Sequence, residues 1–259
     1  MDKILKITTI QTHLFWEDIQ KNLINFELKI KNIDQSTDVI VLPEMFTTGF
    51  SMNPSNFAES MNGKTVNWMK KMASDRDALI LGSIIINDEN RFVNRLLAVY
   101  PEGKMDYYDK RHLFAMAGEH EEYTPGDKRL IITYKGWRIN PLICYDLRFP
   151  VWSRNLSDYD VQIYVANWPE KRSFHWNILL QARAIENQAY VVGVNRIGED
   201  GNGYTHSGDT CVFDPLGVRI SFTNPNEDKV ETVILNRDDL EKIRKSLPFI
   251  QDGDKFTIA

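Results

Sequence analysis

The sequence predicts an α/β fold in which two mixed β-sheets lie face to face with helices on their outer sides. Three observations predict it. Apolar strand-like runs alternate with segments whose apolar residues recur at helical spacing. Some of those runs, such as Val39-Ile40-Val41-Leu42, are wholly apolar, as strands covered on both faces are. Tight turns containing Gly or Pro add antiparallel hairpins to the βα connections, so neither a purely parallel nor a purely antiparallel sheet accounts for the chain.

Ile4 to Ile10 reads as a strand, and Phe15 to Ile33 as a helix with its stripe at Trp16, Ile19, Leu23, Phe26 and Ile30. Asp38 to Leu42 is a short strand stopped by Pro43, Val66 to Ala73 a helix, and Ala78 to Ile86 an apolar strand. Phe92 to Tyr100 and Lys104 to Tyr108 flank the turn Pro101-Glu102-Gly103; Arg129 to Tyr134 and Trp137 to Ile143 flank Lys135-Gly136. Val161 to Ala166, Phe174 to Asn187 and Ala189 to Val194 read as strand, helix, strand. Asp209 to Phe213 and Val218 to Ser221 bracket Asp214-Pro215-Leu216-Gly217 as a third hairpin. Lys229 to Leu235 is a strand, Asp238 to Lys245 a helix, and the tail from Pro248 is irregular. No repeat or Gly/Ser-rich linker interrupts the pattern, so residues 1–259 are expected to form one domain.

Composition narrows the function. The chain has 259 residues, 42% of them hydrophobic, and a formal net charge of −5, with Lys and Arg scattered; this argues against a nucleic-acid partner. No apolar stretch reaches the roughly 18–20 residues a membrane span needs. The first residues enter a strand pattern without the apolar core of a signal peptide. Two cysteines, far apart and unlike in context, make neither a disulfide framework nor a metal pair. The expectation is a cytoplasmic protein without membrane or nucleic-acid partners.

Three segments share a design in which an apolar strand ends and a polar residue follows at once in a loop rich in aromatics. They offer Glu44 in Leu42-Pro43-Glu44, Lys110 in Tyr108-Asp109-Lys110-Arg111-His112-Leu113-Phe114, and Cys144 after Ile139-Asn140-Pro141-Leu142-Ile143. Sites in α/β sheets assemble at the carboxyl ends of strands, so three such loops can converge on one pocket. The chemistry is complementary. Cys144 is a nucleophile, a partly desolvated Glu44 a base for its proton, and Lys110 with the Tyr145 N–H a receptor for an oxyanion. A cysteine before a helix start is also expected to favour the thiolate, through free N–H groups and the helix dipole. Taken singly, each has an ordinary alternative: Glu44 a cap, Lys110 a solvated cation, Cys144 a small buried hydrophobe. Cys211, in the alternating run Thr210-Cys211-Val212-Phe213-Asp214, reads as an ordinary strand residue.

In these contexts and this order, Glu44, Lys110 and Cys144 resemble the nitrilase superfamily, the carbon–nitrogen hydrolases. The resemblance rests on Leu42-Pro43-Glu44, on Tyr108 to Phe114, on Cys144-Tyr145-Asp146-Leu147-Arg148-Phe149-Pro150 and on Gln181-Ala182-Arg183-Ala184-Ile185-Glu186-Asn187-Gln188. It runs from Ile7 to about Leu235. It implies a four-layer αββα sandwich, a cysteine thioester intermediate and a homodimer. It also implies a second catalytic glutamate upstream of Pro125-Gly126-Asp127, which falls on Glu119, with Glu121 and Glu122 as neighbours in the same acidic loop.

Within the superfamily, Val165-Ala166-Asn167-Trp168-Pro169 with Arg172, Gly201-Asn202-Gly203 and Phe249-Ile250-Gln251-Asp252 look like the bacterial omega-amidases. That resemblance implies release of ammonia from the terminal amide of 2-oxoglutaramate or 2-oxosuccinamate. A carbamoylase, an aliphatic amidase or a nitrilase using the same machinery is the alternative. A planar guanidinium suits the substrate's far carboxylate. Arg172 is the candidate, with Arg148 and Lys171 as rivals, and Phe114 and Trp168 are expected beside Phe50 in the pocket wall. No cofactor and no metal are expected, since the five histidines show no ligand spacing; His112 reads as a structural donor rather than a base.

Overall fold

The computed structural model describes residues 2–254 together with 256 and 257. Met1, with which the strand-first N-terminus begins, and Lys255, Ile258 and Ala259 of the expected irregular tail lie outside the described residues. In chain order the elements are β1 (Ile4–Gln11), α1 (Ile19–Lys31), β2 (Val39–Val41), α2 (Pro54–Phe57), α3 (Lys64–Arg76), β3 (Leu79–Asp88), β4 (Arg91–Val99), β5 (Met105–Asp109) and α4 (Glu119–Glu122). There follow β6 (Ile132–Tyr134), β7 (Trp137–Ile143), α5 (Pro150–Ser153), β8 (Val161–Ala166), α6 (Ser173–Asn187), β9 (Tyr190–Asn195), β10 (Ile197–Glu199), β11 (Thr205–Ser207), β12 (Cys211–Phe213), β13 (Lys229–Asn236) and α7 (Arg237–Ser246). Short 3-10 turns cover Ala115–Ala117, Cys144–Arg148, Glu170–Arg172 and Phe249–Asp252.

One sheet has the order β13-β1-β2-β3-β4-β5 and the other β12-β9-β8-β7-β6; β10 and β11 form a separate ribbon. Each large sheet has a parallel trio, β1-β2-β3 in one and β7-β8-β9 in the other, extended by antiparallel strands. The strand pleat sorts side chains into layers. Val39, Val41, Leu79 and Leu81 join the core shared with β7, β8 and β9, while Ile40, Leu42 and Ile80 face Leu23, Phe26 and Ile30 of α1 and Val66, Met69 and Met72 of α3. Trp176, Leu180 and Ala184 of α6 cover the other sheet. The layers are therefore helix, sheet, sheet, helix. Close seating of α6 depends on Gly193 of β9, where a Cβ would lie 2.4 Å from a Leu180 methyl.

Two expected elements differ. The first helix begins at Ile19, not Phe15. The buried Asn22 side chain bonds both the N–H and the C=O of Phe15 (2.8 and 2.7 Å), holding a loop there, and Asp18 caps the helix by accepting from the Lys21 N–H at 3.0 Å. Trp16 consequently leaves the helical stripe and lies against Gly49 and Gly201. Val218 to Ser221 forms a single bridge, Phe213 to Arg219, instead of a strand. The Ser221 hydroxyl accepts the Val212 N–H at 2.9 Å, and the Arg219 guanidinium takes the carbonyls of Thr210 and Thr223. The tail also departs from the expectation, with a 3-10 turn at Phe249–Asp252. Among the described residues no helix is long and apolar enough to cross a membrane.

Candidate active site

β2, β5, β7 and β8 end on one side of the molecule, and residues one to three positions after each end meet there. After β2 the chain turns, with Leu42 N–H on Leu81 O (2.7 Å), Met45 N–H on Ser83 Oγ (2.9 Å) and Met45 in the left-handed region (φ 40°). This aims Glu44 into the space between the sheets. Lys110 follows β5 directly, its N–H on Asn94 O and its C=O accepting from the Gly126 N–H. A Cβ on Gly126 would lie 2.2 Å from the Asp109 carbonyl, so only glycine lets that turn press against the lysine segment. Glu119 opens α4, while Glu121 and Glu122 of the same helix are exposed. The structure thus brings Glu119, and not its neighbours, to the lysine.

Lys110 Nζ lies 2.9 Å from Glu44 Oε1 and 2.9 Å from both Glu119 oxygens, and all three side chains are buried. Burial alone would lower the lysine pKa; the charges of Glu119 and Glu44 outweigh it and hold the ammonium above its ordinary value. Burial pushes the Glu119 carboxyl up, against the opposing pull of Lys110. Glu44 is held on every side. Asn94 Nδ2 donates to Oε1 (2.9 Å), the Asn167 N–H to Oε2 (2.8 Å) and Asn167 Nδ2 to the Glu44 C=O (2.6 Å). Glu119 Oε2 also accepts the Phe114 N–H at 2.5 Å.

Cys144 sits at φ 42°, an uncommon backbone state for a residue with a Cβ. Asp146 holds it there. Its carboxylate accepts from the Ile143 N–H (3.0 Å), the Tyr108 hydroxyl (2.7 Å) and the His112 N–H (3.0 Å), and its Oδ1 lies 2.8 Å from His112 Nδ1. His112 stacks on Phe149 at 3.8 Å, so the ring supports the turn that carries Cys144. The surroundings of the sulfur oppose the expected thiolate. Burial, followed by the Glu44 charge, pushes the thiol well above its ordinary value, and Lys110 opposes this only in part. The five-residue turn at Cys144–Arg148 is too short to supply a compensating dipole.

A cavity of about 370 Å³ opens above these groups, with Glu44, Lys110, Cys144 and Asn167 at its lining. Phe50, Phe114, Tyr145 and Trp168 contribute aromatic faces; Phe114 and Tyr145 meet edge to face at 5.0 Å. Arg148, Lys171 and Arg172 also line it, each over a ring: Trp168 (4.7 Å), Tyr204 (4.6 Å) and Phe114 (5.4 Å). Burial and then the Arg172 charge lower the Arg148 pKa. The β10–β11 ribbon adds Asp200, Tyr204 and His206; burial and Arg196 push His206 down to about 4, leaving it neutral near pH 7. Sequence reasoning missed Asn94, Asn167, Asp146 and the ribbon, whose roles come from contacts across sheets. Asn167, first after a strand like Lys110 and Cys144, carried the one usable signal. Among the described residues no group of three or more His, Cys, Asp or Glu is placed to hold a metal ion.

A thiol pKa pushed up by burial and by Glu44 has a measurable consequence. Iodoacetamide labelling of the Cys144 peptide, followed by mass spectrometry from about pH 5 to about pH 10, should rise only near and above the ordinary thiol range. An inflection below neutrality, as a Cys–His ion pair gives, would overturn this state.

Comparison with known proteins agrees with the geometry. The family model described as carbon-nitrogen hydrolase matches residues 6–245. The omega-amidase YafV of Escherichia coli (strain K12) is 49% identical over 254 residues, covering 98% of both chains. That of Yersinia enterocolitica is 47% identical with the same coverage. A crystal structure of a CN-hydrolase superfamily protein from Xanthomonas campestris, with an arsenic adduct in its active site, is 40% identical and superposes over 100% of both chains with a TM-score of 0.97. With its sandwich of two mixed sheets and its buried Glu–Lys–Glu cluster beside a cysteine, the chain belongs to the carbon–nitrogen hydrolases of the nitrilase superfamily.

Proposed function

We propose that the protein is an omega-amidase, releasing ammonia from the terminal amide of 2-oxoglutaramate, 2-oxosuccinamate or a close analogue. The observation that carries this reading is the pairing of Lys110 with two buried carboxylates beside Cys144, under a cavity lined by cations resting on aromatic rings. Glu44 takes the Cys144 proton as sulfur attacks the amide carbon, and the C–S bond forms. The oxygen becomes an oxyanion held by Lys110 and the Tyr145 N–H, which lies in the first turn of its 3-10 helix, where N–H groups lack helical acceptors. Glu44 returns the proton to nitrogen, the C–N bond breaks and ammonia leaves. Water then adds to the thioester, the C–S bond breaks, and the acid and free thiol are released. Glu119 fixes Lys110 and orients the amide or the water. A neutral thiol suits this scheme, because the proton moves only when substrate is in place.

The substrate's far carboxylate is assigned to Arg172. Its guanidinium rests on Phe114, so a π-face supports the charge while its N–H donors stay available to an anion. Arg148 has His175 as its polar neighbour, at 3.3 Å. Phe114, Trp168 and Tyr145 wall the pocket around the substrate chain.

Residues 1–259 act as one domain in a cytoplasmic protein, with two free cysteines and no nucleic-acid partner. It pairs as a homodimer through the outer face of α6. There Phe174, Ile178 and Ile185 are exposed, and Ile185 continues into Leu216 and Val218 through its contact with Gly217. Exposed apolar area of this kind marks an interface.

Three measurements test these assignments. Cys144→Ala and Glu44→Gln should each lower ammonia release from 2-oxoglutaramate by about 10³-fold or more, whereas His112→Asn only weakens it. Full activity in Cys144→Ala ends the reading, and a wild type that prefers nitriles or carbamoyl compounds over ω-amides redirects it. Arg172→Ala should raise KM for 2-oxoglutaramate far more than for a neutral amide; equal losses on both remove its carboxylate role. Phe174→Asp with Ile178→Asp should halve the mass seen in sedimentation, and an unchanged mass places the interface elsewhere.

A further inference from the structure

Asn167 does two visible things to Glu44. Its N–H donates to the carboxylate and its side-chain Nδ2 donates to the Glu44 carbonyl at 2.6 Å. The second bond fixes the orientation of the carboxamide, because only the nitrogen end can face a carbonyl oxygen. Oδ1 therefore points elsewhere, and it has no hydrogen-bond partner among the described residues, although Asn167 is only 6% exposed. An enclosed acceptor left unmatched is costly, and a protein tolerates it where a ligand supplies the donor. Asn94, the other carboxamide on Glu44, also has an unmatched Oδ1, but only Asn167 lines the cavity. The register puts it beside the nucleophile. Val165 pairs with Ile143 in the parallel sheet, so Cys144 and Asn167 follow the same ends of neighbouring strands, one and two residues past the paired positions.

We propose that Asn167 Oδ1 recognises the amide nitrogen of the substrate, accepting a hydrogen bond from its N–H. The assignment rests on the amidase reading above and adds a chemical preference to it. A primary amide brings N–H donors to this position. An ester of the same acid brings only oxygen lone pairs and leaves Oδ1 unmatched against another acceptor. Sites built to bond an N–H reject analogues that lack it.

The experiment compares kcat/KM for the ω-amide of a 2-oxo dicarboxylic acid with that for the ω-methyl ester of the same acid. It uses the wild type, Asn167→Ala and Asn167→Ser, with thermal melts as the check on folding. In both variants the amide-to-ester ratio is expected to fall by about 10- to 100-fold, because both reactions share the loss of support to Glu44 and only the amide also loses its acceptor. Should the alanine variant not fold, the serine variant gives the same ratio. Equal losses on amide and ester would mean that Asn167 acts only by holding Glu44, and would overturn the assignment alone. A wild type that cleaves neither compound overturns the amidase reading and this assignment with it.

Discussion

A single ammonium group, Lys110 Nζ, makes the rest of the site possible. Two carboxylates enclosed between sheets would repel each other and would each lose several kcal/mol of hydration. Lys110 lies 2.9 Å from both, and its own desolvation is tolerable only because they are there. Neither member is stable in that place alone. The cluster also ties together the loop after β2, the loop after β5 and the start of α4, so the ion contact that prepares the chemistry also closes this end of the sandwich.

The remaining polar groups of the cluster are supplied from both sheets. Asn94 reaches Glu44 from the first sheet and Asn167 from the second, so the base is held across the interface between them. Cys144 is held by a different means. The Asp146 carboxylate gathers three protein donors around one turn and keeps the cysteine in a left-handed backbone that a side chain ordinarily avoids. The nucleophile and its base are thus positioned by separate networks that meet at the cavity floor. His112 serves the Asp146 network, with its ring nitrogen on the Asp146 carboxylate.

Most of the architecture was legible because its signals are local. Alternation and helical spacing marked the strands of both large sheets and the four long helices, but not the β10–β11 ribbon or the one-turn helices, and strand ends pointed to Glu44, Lys110 and Cys144. The misreadings have a shared origin. Asn22 pulled Phe15 and Trp16 out of the first helix, and Ser221 and Arg219 replaced a ladder with side-chain bonds; in each case a polar side chain competed with regular backbone pairing. The thiolate expectation failed for another reason. It considered the charge and dipole next to Cys144 in sequence, whereas the enclosing protein and the Glu44 carboxylate, brought from the other sheet, decide the thiol's state.

By itself the sequence determined the order of the longer strands and helices and the two-sheet α/β class, and it pointed to Glu44, Lys110 and Cys144 as candidate side chains. These depend on periodicity, turn chemistry and residue type, all confined to a few neighbouring positions. Only the tertiary structure decided that Glu119, rather than Glu121 or Glu122, meets the lysine, that Asn94 and Asn167 hold Glu44, and that burial and the Glu44 charge push the thiol pKa up. Those outcomes follow from burial and charge between segments far apart in the chain, and such energies exist only once the sheets have come together.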